Sequence, residues 1–413
     1  MSPLLARLRG DLDFLASPIP DRPGLLLRDP FRYSDQVVVV PPLLGECLNC
    51  FDGAHTNLDL HHRLAHLTGR IDLGDVADAF ARGLSDAGFL DDESFWSLRT
   101  QRHDQFSRAP VRDAAFSGGG YPADPAALSQ TLATWIGSRT NGENVPVNHV
   151  TQPDRIVAIA APHASPTGGV STYGAAYRAL GPNLRDRTFV ILGTSHYGRP
   201  NRFGLCGKSF ATPLGKATTD GALYDALVRT AGDAIDPDDY CHAVEHSIEF
   251  QILFLQAVYG ASVRILPILC GPFVCGPTSG ARPEDDVGVA RVLGALGDLQ
   301  AQHGSRLFWV LGVDLAHVGR RYGDNLEAHA HQGAMQQVAT RDRARLERVV
   351  DAQADGFWEL THENGADDLK WCGSAPLYAF MRTHPSARGR VLHYDQWNID
   401  ESSVVSFAAL SFS

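Results

Sequence analysis

Cysteine is scarce and odd in number, seven in 413 residues. That excludes a disulfide-built scaffold and leaves single thiols available for metal or redox chemistry. No stretch approaches the roughly 20 consecutive apolar residues that a membrane helix needs, so no membrane span is expected. Runs of Lys or Arg are missing too, and 36 basic against 47 acidic residues leave a net charge of −11. Nucleic acid and anionic membrane therefore have no electrostatic hold on the chain, and neither is expected as a partner. The opening MSPLLARLRGDLDFL meets charge at Arg7, Arg9, Asp11 and Asp13 before an export-type apolar core can form, so a cytoplasmic location is the expectation. What remains is an ordinary folded composition, 44% hydrophobic and 20% charged. Its length exceeds what one hydrophobic core comfortably serves.

Residues 1–106 read as a small α+β domain: a strand-like QVVVVPP at 36–42, then helical patterns around Leu58–Leu67 and Val76–Ala87. The Gly/Pro-rich RAPVRDAAFSGGGYPADP interrupts both periodicities and places a boundary near 107–111. From 107 to 413 short apolar runs alternate with amphipathic stretches, as in βα units around a parallel sheet. Strands are expected at Arg155–Ala161, Thr188–Gly193, Arg264–Cys270 and Leu307–Val313. Helices are expected at Thr172–Leu180, Gly221–Arg229, Val244–Tyr259, Val287–Gln300 and Arg343–Ala352. The fold class is thus α/β, a mainly parallel central sheet flanked by helices. Its ligand crevice should lie beyond the carboxyl ends of the strands.

Three of the four strands lead to imidazoles at those ends: RIVAIAAPH to His163, TFVILGTSH to His196, and LFWVLGVDLAH to Asp314 and His317. Neutral imidazole is the commonest metal ligand and titrates near neutrality, so their convergence suits a metal centre with an acid/base partner. Cys372, in Trp371-Cys372-Gly373-Ser374, lies just ahead of an expected helix start, where a helix N-terminus would favour the thiolate.

A series of motifs in one order, GGGYPADPAAL at 118–128, APHASPTGG at 161–169, ILGTSHYG at 191–198, EHSIEFQILFLQ at 245–256, DLAHVGRRYG at 314–323 and CGSAP at 372–376, resembles the Memo family. That family is the middle component of the AmmeMemoRadiSam group, and its fold is similar to class III extradiol dioxygenases. The resemblance covers about 112–413. It implies a metal site at His163, His196 and Cys372, Asp314 and His317 from a DFSH-like motif, with His317 as general acid/base, and Glu245, His246 and Glu249 from EHSIE. It further implies a metal-dependent redox enzyme, a non-haem iron(II) oxygenase acting on a small-molecule, phenolic or peptide substrate, with copper or zinc as alternative metals. A non-catalytic metal- or ligand-binding adaptor and a zinc-dependent hydrolase are the competing functions. The chain departs from the family where PHASPTGGVSTYG replaces the usual pocket segment and Tyr197 stands where a second His is usual. Relative to the dioxygenases, a thiolate replaces a carboxylate ligand, and soft sulfur favours copper(I), zinc or a differently tuned iron.

Other patterns compete. His242-Ala243-Val244-Glu245-His246 fits the inverted zinc-protease pattern H-x-x-E-H. Cys47 and Cys50 form a C-x-x-C with no second pair to complete a zinc site. His61, His62 and His66 read as the wet side of a helix, and His329 and His331 as exposed helical residues. The N-terminal segment LDLHHRLAHLTGRIDLGDVADAFARGLSDAGFLDDESF, taken as two helices and a turn before a short hairpin, weakly resembles a winged-helix module that recognises leader peptides. It carries no basic stripe, so a peptide or protein partner is expected there.

Overall fold

The structure, a computed structural model, describes residues 3–137, 156–275, 280–362 and 366–413. The chain divides into two compact units, Met1–Ala109 and Pro110–Ser413.

In the first unit, β1 (Asp13–Ala16), β2 (Leu25–Arg28) and β3 (Val37–Val40) form an antiparallel sheet in that order. Helices Asn57–Thr68, Gly74–Asp86 and Glu93–Arg108 follow. The first is set by a capping box, with Thr56 accepting from the Asp59 N–H and the Asp59 carboxylate taking the Thr56 N–H, and it stops at left-handed Gly69. Leu27, Val40, Leu60, Leu64, Leu84 and Phe89 close the core. The sheet precedes the helices, and no hairpin follows the second helix. Instead Asp92 caps a third helix by accepting the Phe95 N–H, and Phe95 and Phe106 are buried from it. Cys47 and Cys50 are buried in a short turn, where burial pushes both thiols up and away from redox reactivity.

In the second unit, the centre of a 12-stranded sheet is four parallel strands in the order β5 (Ala158–Ala161), β12 (Leu307–Gly312), β6 (Thr188–Thr194), β11 (Arg264–Cys270). Antiparallel β15 (Ser403–Phe412) flanks β5 and carries β13 (His317–Gly319) and β14 (Gly389–Asp400). The other flank continues through β9 (Gly215–Thr219), β8 (Ser209–Thr212) and β4 (Val111–Arg112), with β7 (Phe203–Leu205) paired to β11 and β10 (Ile235–Pro237) paired in turn to β7. This is the expected α/β class with a mainly parallel central sheet between helical layers. Alternation of side chains along the strands sorts the layers. Val190 and Leu192 pack in one cluster with Leu227, Leu296 and Leu377, whereas Phe189 stacks on Tyr259, ring centres 5.4 Å apart, on the other face.

Two expected helices differ from what forms. Val244–Tyr259 is two pieces, Cys241–Val244 and Glu249–Tyr259, because the Glu245 carboxylate captures the His246 and Ser247 N–H groups that a continuous helix would use. The Arg343–Ala352 helix instead spans Ala334–Val350. Its extension is hidden in the sequence because a buried polar residue, Asp342, holds its inner face by accepting from Trp371 Nε1, Tyr394 and Ser406. His329 and His331 lie ahead of that helix and are not helical. The first expected strand begins at residue 155, outside the described residues, and forms from Ala158. Among the described residues no helix is long and apolar enough to cross a membrane.

Candidate metal centre

The parallel strands deliver their chemistry at their carboxyl ends. β5 runs into Pro162 and His163, β6 into Ser195 and His196, and β12 into Val313 and Asp314, while Cys372 precedes the Ser374–Thr383 helix. Ligand atoms of His163, His196 and Cys372 all lie within 4.8 Å of one another, and His163 Nε2 is 3.3 Å from Cys372 Sγ. Two further groups of the same compactness share a member with this triad: His196, Glu245 and His246 on one side, Asp314, His317 and Cys372 on the other.

Each imidazole has its other nitrogen fixed. His163 Nδ1 donates to the Gly312 carbonyl at 2.8 Å, and His196 Nδ1 to the Glu245 carboxylate at 3.1 Å. His317 Nδ1 donates to the carbonyls of Leu315 and Lys370. In the neutral rings this leaves Nε2 bare, the tautomer a metal ligand or proton acceptor requires. His246 stacks on His196 with ring centres 4.9 Å apart, and its Nδ1 also meets Glu245. Glu245 is therefore an anchor: it takes the backbone N–H groups of His196, His246 and Ser247 as well as two imidazoles. Asp314 takes the His163 N–H at 2.9 Å. The His163 side chain is 2% exposed and that of His196 30%.

The donor set fits a metal: two imidazole Nε2 atoms and a thiol converge, each imidazole backed at Nδ1 by a hydrogen-bond acceptor. A Memo family model, described as Memo-like protein, matches residues 112–411. The chain belongs to the Memo family. Among its relatives, a MEMO1 family protein of Methanopyrus kandleri is 27% identical over 308 residues, 73% of this chain and 98% of its own. One from Thermococcus kodakarensis is 28% identical over 73% of this chain and 99% of its own. One from Aquifex aeolicus is 23% identical over 94% of this chain and 95% of its own, a span too long to leave out the first unit.

In the Memo centre the charges are set by mutual contact. Burial raises the Cys372 thiol, but His163 and His317, with hydrogen bonds from His163 and His196, overcome it and bring its pKa down to about 5. Burial likewise opposes charge on His163, yet Asp314 and the Cys372 sulfur raise its pKa to about 9. His196 moves up for the corresponding reason, burial outweighed by Glu245 and Cys372, and Glu245 stays well below the carboxylate range despite burial because His196 and His246 face it. The expected helix N-terminus does lie two residues beyond Cys372, but neighbouring imidazoles favour the thiolate.

His242 stands apart from the centre. It is buried, its Nε2 meets the Gly204 carbonyl at 3.1 Å, and it belongs to no metal-competent group among the described residues. The helix ends at Val244, so His242 and His246 do not share the helical turn that H-x-x-E-H requires. Sequence reading overlooked Arg112, which gives no signal as a single basic residue in the two-residue strand β4, and Tyr322, whose ring meets His317 edge-on at 4.9 Å.

Proposed function

We propose that the Memo unit is a metal-dependent redox enzyme, a non-haem iron(II) oxygenase acting on a small-molecule or peptide substrate. One arrangement supports this: the Nε2 atoms of His163 and His196 converge on the Cys372 sulfur, so that loss of their protons to an incoming metal leaves three donors together, and His317 stands beside them. These three residues would hold the metal, which when bound supplies electron transfer between substrate and dioxygen gathered at one centre. His317 Nε2 takes a substrate proton and returns it, while the carbonyls of Leu315 and Lys370 hold the ring in the accepting tautomer. Tyr322 packs against the same ring and limits its rotation. Asp314 orients His163 through its backbone N–H. His246, held by Glu245, is a second imidazole on the opposite side of the triad, placed to hydrogen-bond a ligand.

Two imidazoles and a thiolate also suit copper(I) or zinc. Zinc-dependent hydrolysis has less support, because it needs a free carboxylate base and both Glu245 oxygens are occupied by N–H donors. For the first unit we propose a peptide or protein partner, on the basis of its exposed Phe14, Val37 and Trp96.

The test is oxygen uptake by iron-loaded protein offered phenolic and peptide substrates. Substrate-stimulated uptake, reduced by about 10²- to 10⁴-fold in His317→Ala with metal retained, is expected. Full metal occupancy without substrate-dependent uptake would instead favour the non-catalytic adaptor.

A further inference from the structure

We propose that Arg112 and Glu249 are a positioning pair for this centre, holding the turn 245–248 and, through Glu245, the imidazoles of His196 and His246 in register with Cys372. The proposal rests on the metal reading above for its purpose, but its geometry is independent of any metal.

Arg112 and Glu249 are 1% and 0% exposed. The guanidinium spends its donors in four directions. Nε donates to the His242 carbonyl and Nη2 to the Glu245 carbonyl, both at 2.8 Å, while Nη1 donates to the Asp113 carbonyl at 2.8 Å and to the Glu249 carboxylate. The His242 and Glu245 carbonyls are at the point where one helix stops and the next has not begun, so they lack the N–H donors of a continuing helix. Arg112 supplies those donors from another part of the chain. Glu249 is satisfied in turn by the N–H groups of Ala115 and Phe116, at 3.1 and 3.0 Å, and by the Tyr121 hydroxyl. The Phe116 ring, carried by the same segment, packs edge-on against His246 with centres 5.6 Å apart.

A broken helix lets residue 245 send its carboxylate back to His196 while residue 246 places its imidazole beside it. Without the clamp, the turn has a competing solution, since Glu245–Ile248 can simply join the helices on either side. A buried ion pair gains little stability over apolar packing. A planar fork does gain direction, holding three carbonyls and a carboxylate at fixed angles, which the single ammonium of Lys does not reproduce.

The experiment compares the full chain with its Arg112→Lys, Glu249→Gln and Tyr121→Phe variants. A core variant, Leu227→Ala, serves as a stability-matched control, being buried in the Gly221–Ala231 helix away from these contacts. Two quantities are read: cobalt(II) affinity with its thiolate-to-metal absorption band, and amide hydrogen exchange at His196, His246 and Ser247. We expect Arg112→Lys and Glu249→Gln to accelerate that exchange by at least about tenfold and to weaken cobalt binding by about 10- to 100-fold with a shifted band. Tyr121→Phe, which removes one hydroxyl and is the mildest change, should move both in the same direction by less, and Leu227→Ala should move neither. Unchanged exchange and an unchanged band in the Arg112 and Glu249 variants would overturn the proposal, as would the same changes in the control. If wild-type protein binds no cobalt, the metal reading fails, and the exchange rates alone then decide whether the pair holds the turn.

Discussion

A thiol buried in protein ordinarily stays protonated, because burial raises its pKa; Cys372 does not, because His163 and His317 face its sulfur. The imidazolium and thiolate stabilise each other, with His163 shifted up to about 9 and Cys372 down to about 5. Metal-free protein should therefore react with iodoacetamide at Cys372 at a rate that stays level around neutrality and falls only as the pH drops through about 5. Substituting His163→Gln should move that fall upward, and an inflection near the ordinary thiol value of 9.0 in wild type would contradict the pairing. Glu245 tests the same chemistry from the other side. Glu245→Gln keeps the shape but loses the charge that five N–H contacts converge on, and metal affinity should fall by about 10- to 100-fold, measured by competition with a chelator. Single residues were the most legible level of this protein. His163, His196 and Asp314 announce themselves as polar residues directly after apolar strands, and the motif order links them to Cys372. Arg112 was illegible because His242, Glu245 and Glu249, which it joins, lie more than 100 positions away and nothing local marks a buried guanidinium.

At the level of elements, the apolar runs of β6, β11 and β12 are readable because strands buried on both faces are apolar at nearly every position. β15 is equally buried, yet its SVVSFAALSF mixes serines with small residues, and its place beside β5 follows from pairing that no local pattern encodes. The break at 245–248 was hidden for a different reason: apolar periodicity continues through it, and only the competition of the Glu245 carboxylate for backbone N–H groups stops the helix. That turn lies against the sheet at Gly312, where an added Cβ would run into the Ser247 carbonyl. Gly312→Ala should therefore cost about 1–3 kcal/mol in chemical denaturation and weaken metal binding as well. The Ser374–Thr383 helix ends in His384, whose ring is buried against Phe380 and Trp309 with neither nitrogen hydrogen-bonded. Burial lowers its pKa to about 4 from 6.5, so the folded state stays neutral while the unfolded chain takes up a proton. Nothing is lost above 6.5, and as pH falls from there toward 4 stability declines by about 1.4 kcal/mol per unit from this group. His384→Phe should flatten that part of the stability-versus-pH curve, and an unaltered slope would contradict the assignment.

For the whole molecule, the two units differ in how much of the family they represent. The Methanopyrus and Thermococcus relatives align over nearly their full lengths with 73% of this chain, about the extent of the Pro110–Ser413 unit, whereas the Aquifex relative aligns with 94%. The proposed metal centre, whose residues all lie within 163–372, should accordingly form in a fragment spanning 110–413, with the metal stoichiometry of the full chain. The central claim, that His163, His196 and Cys372 hold a metal, is tested most directly by metal analysis of anaerobically purified protein. Wild type, Cys372→Ala and His196→Ala are compared by mass spectrometry, with circular dichroism to confirm folding. Near-stoichiometric iron in wild type, lost from both folded variants, is the predicted result. Metal retained at wild-type levels in the variants, or absent from wild type, would contradict the account.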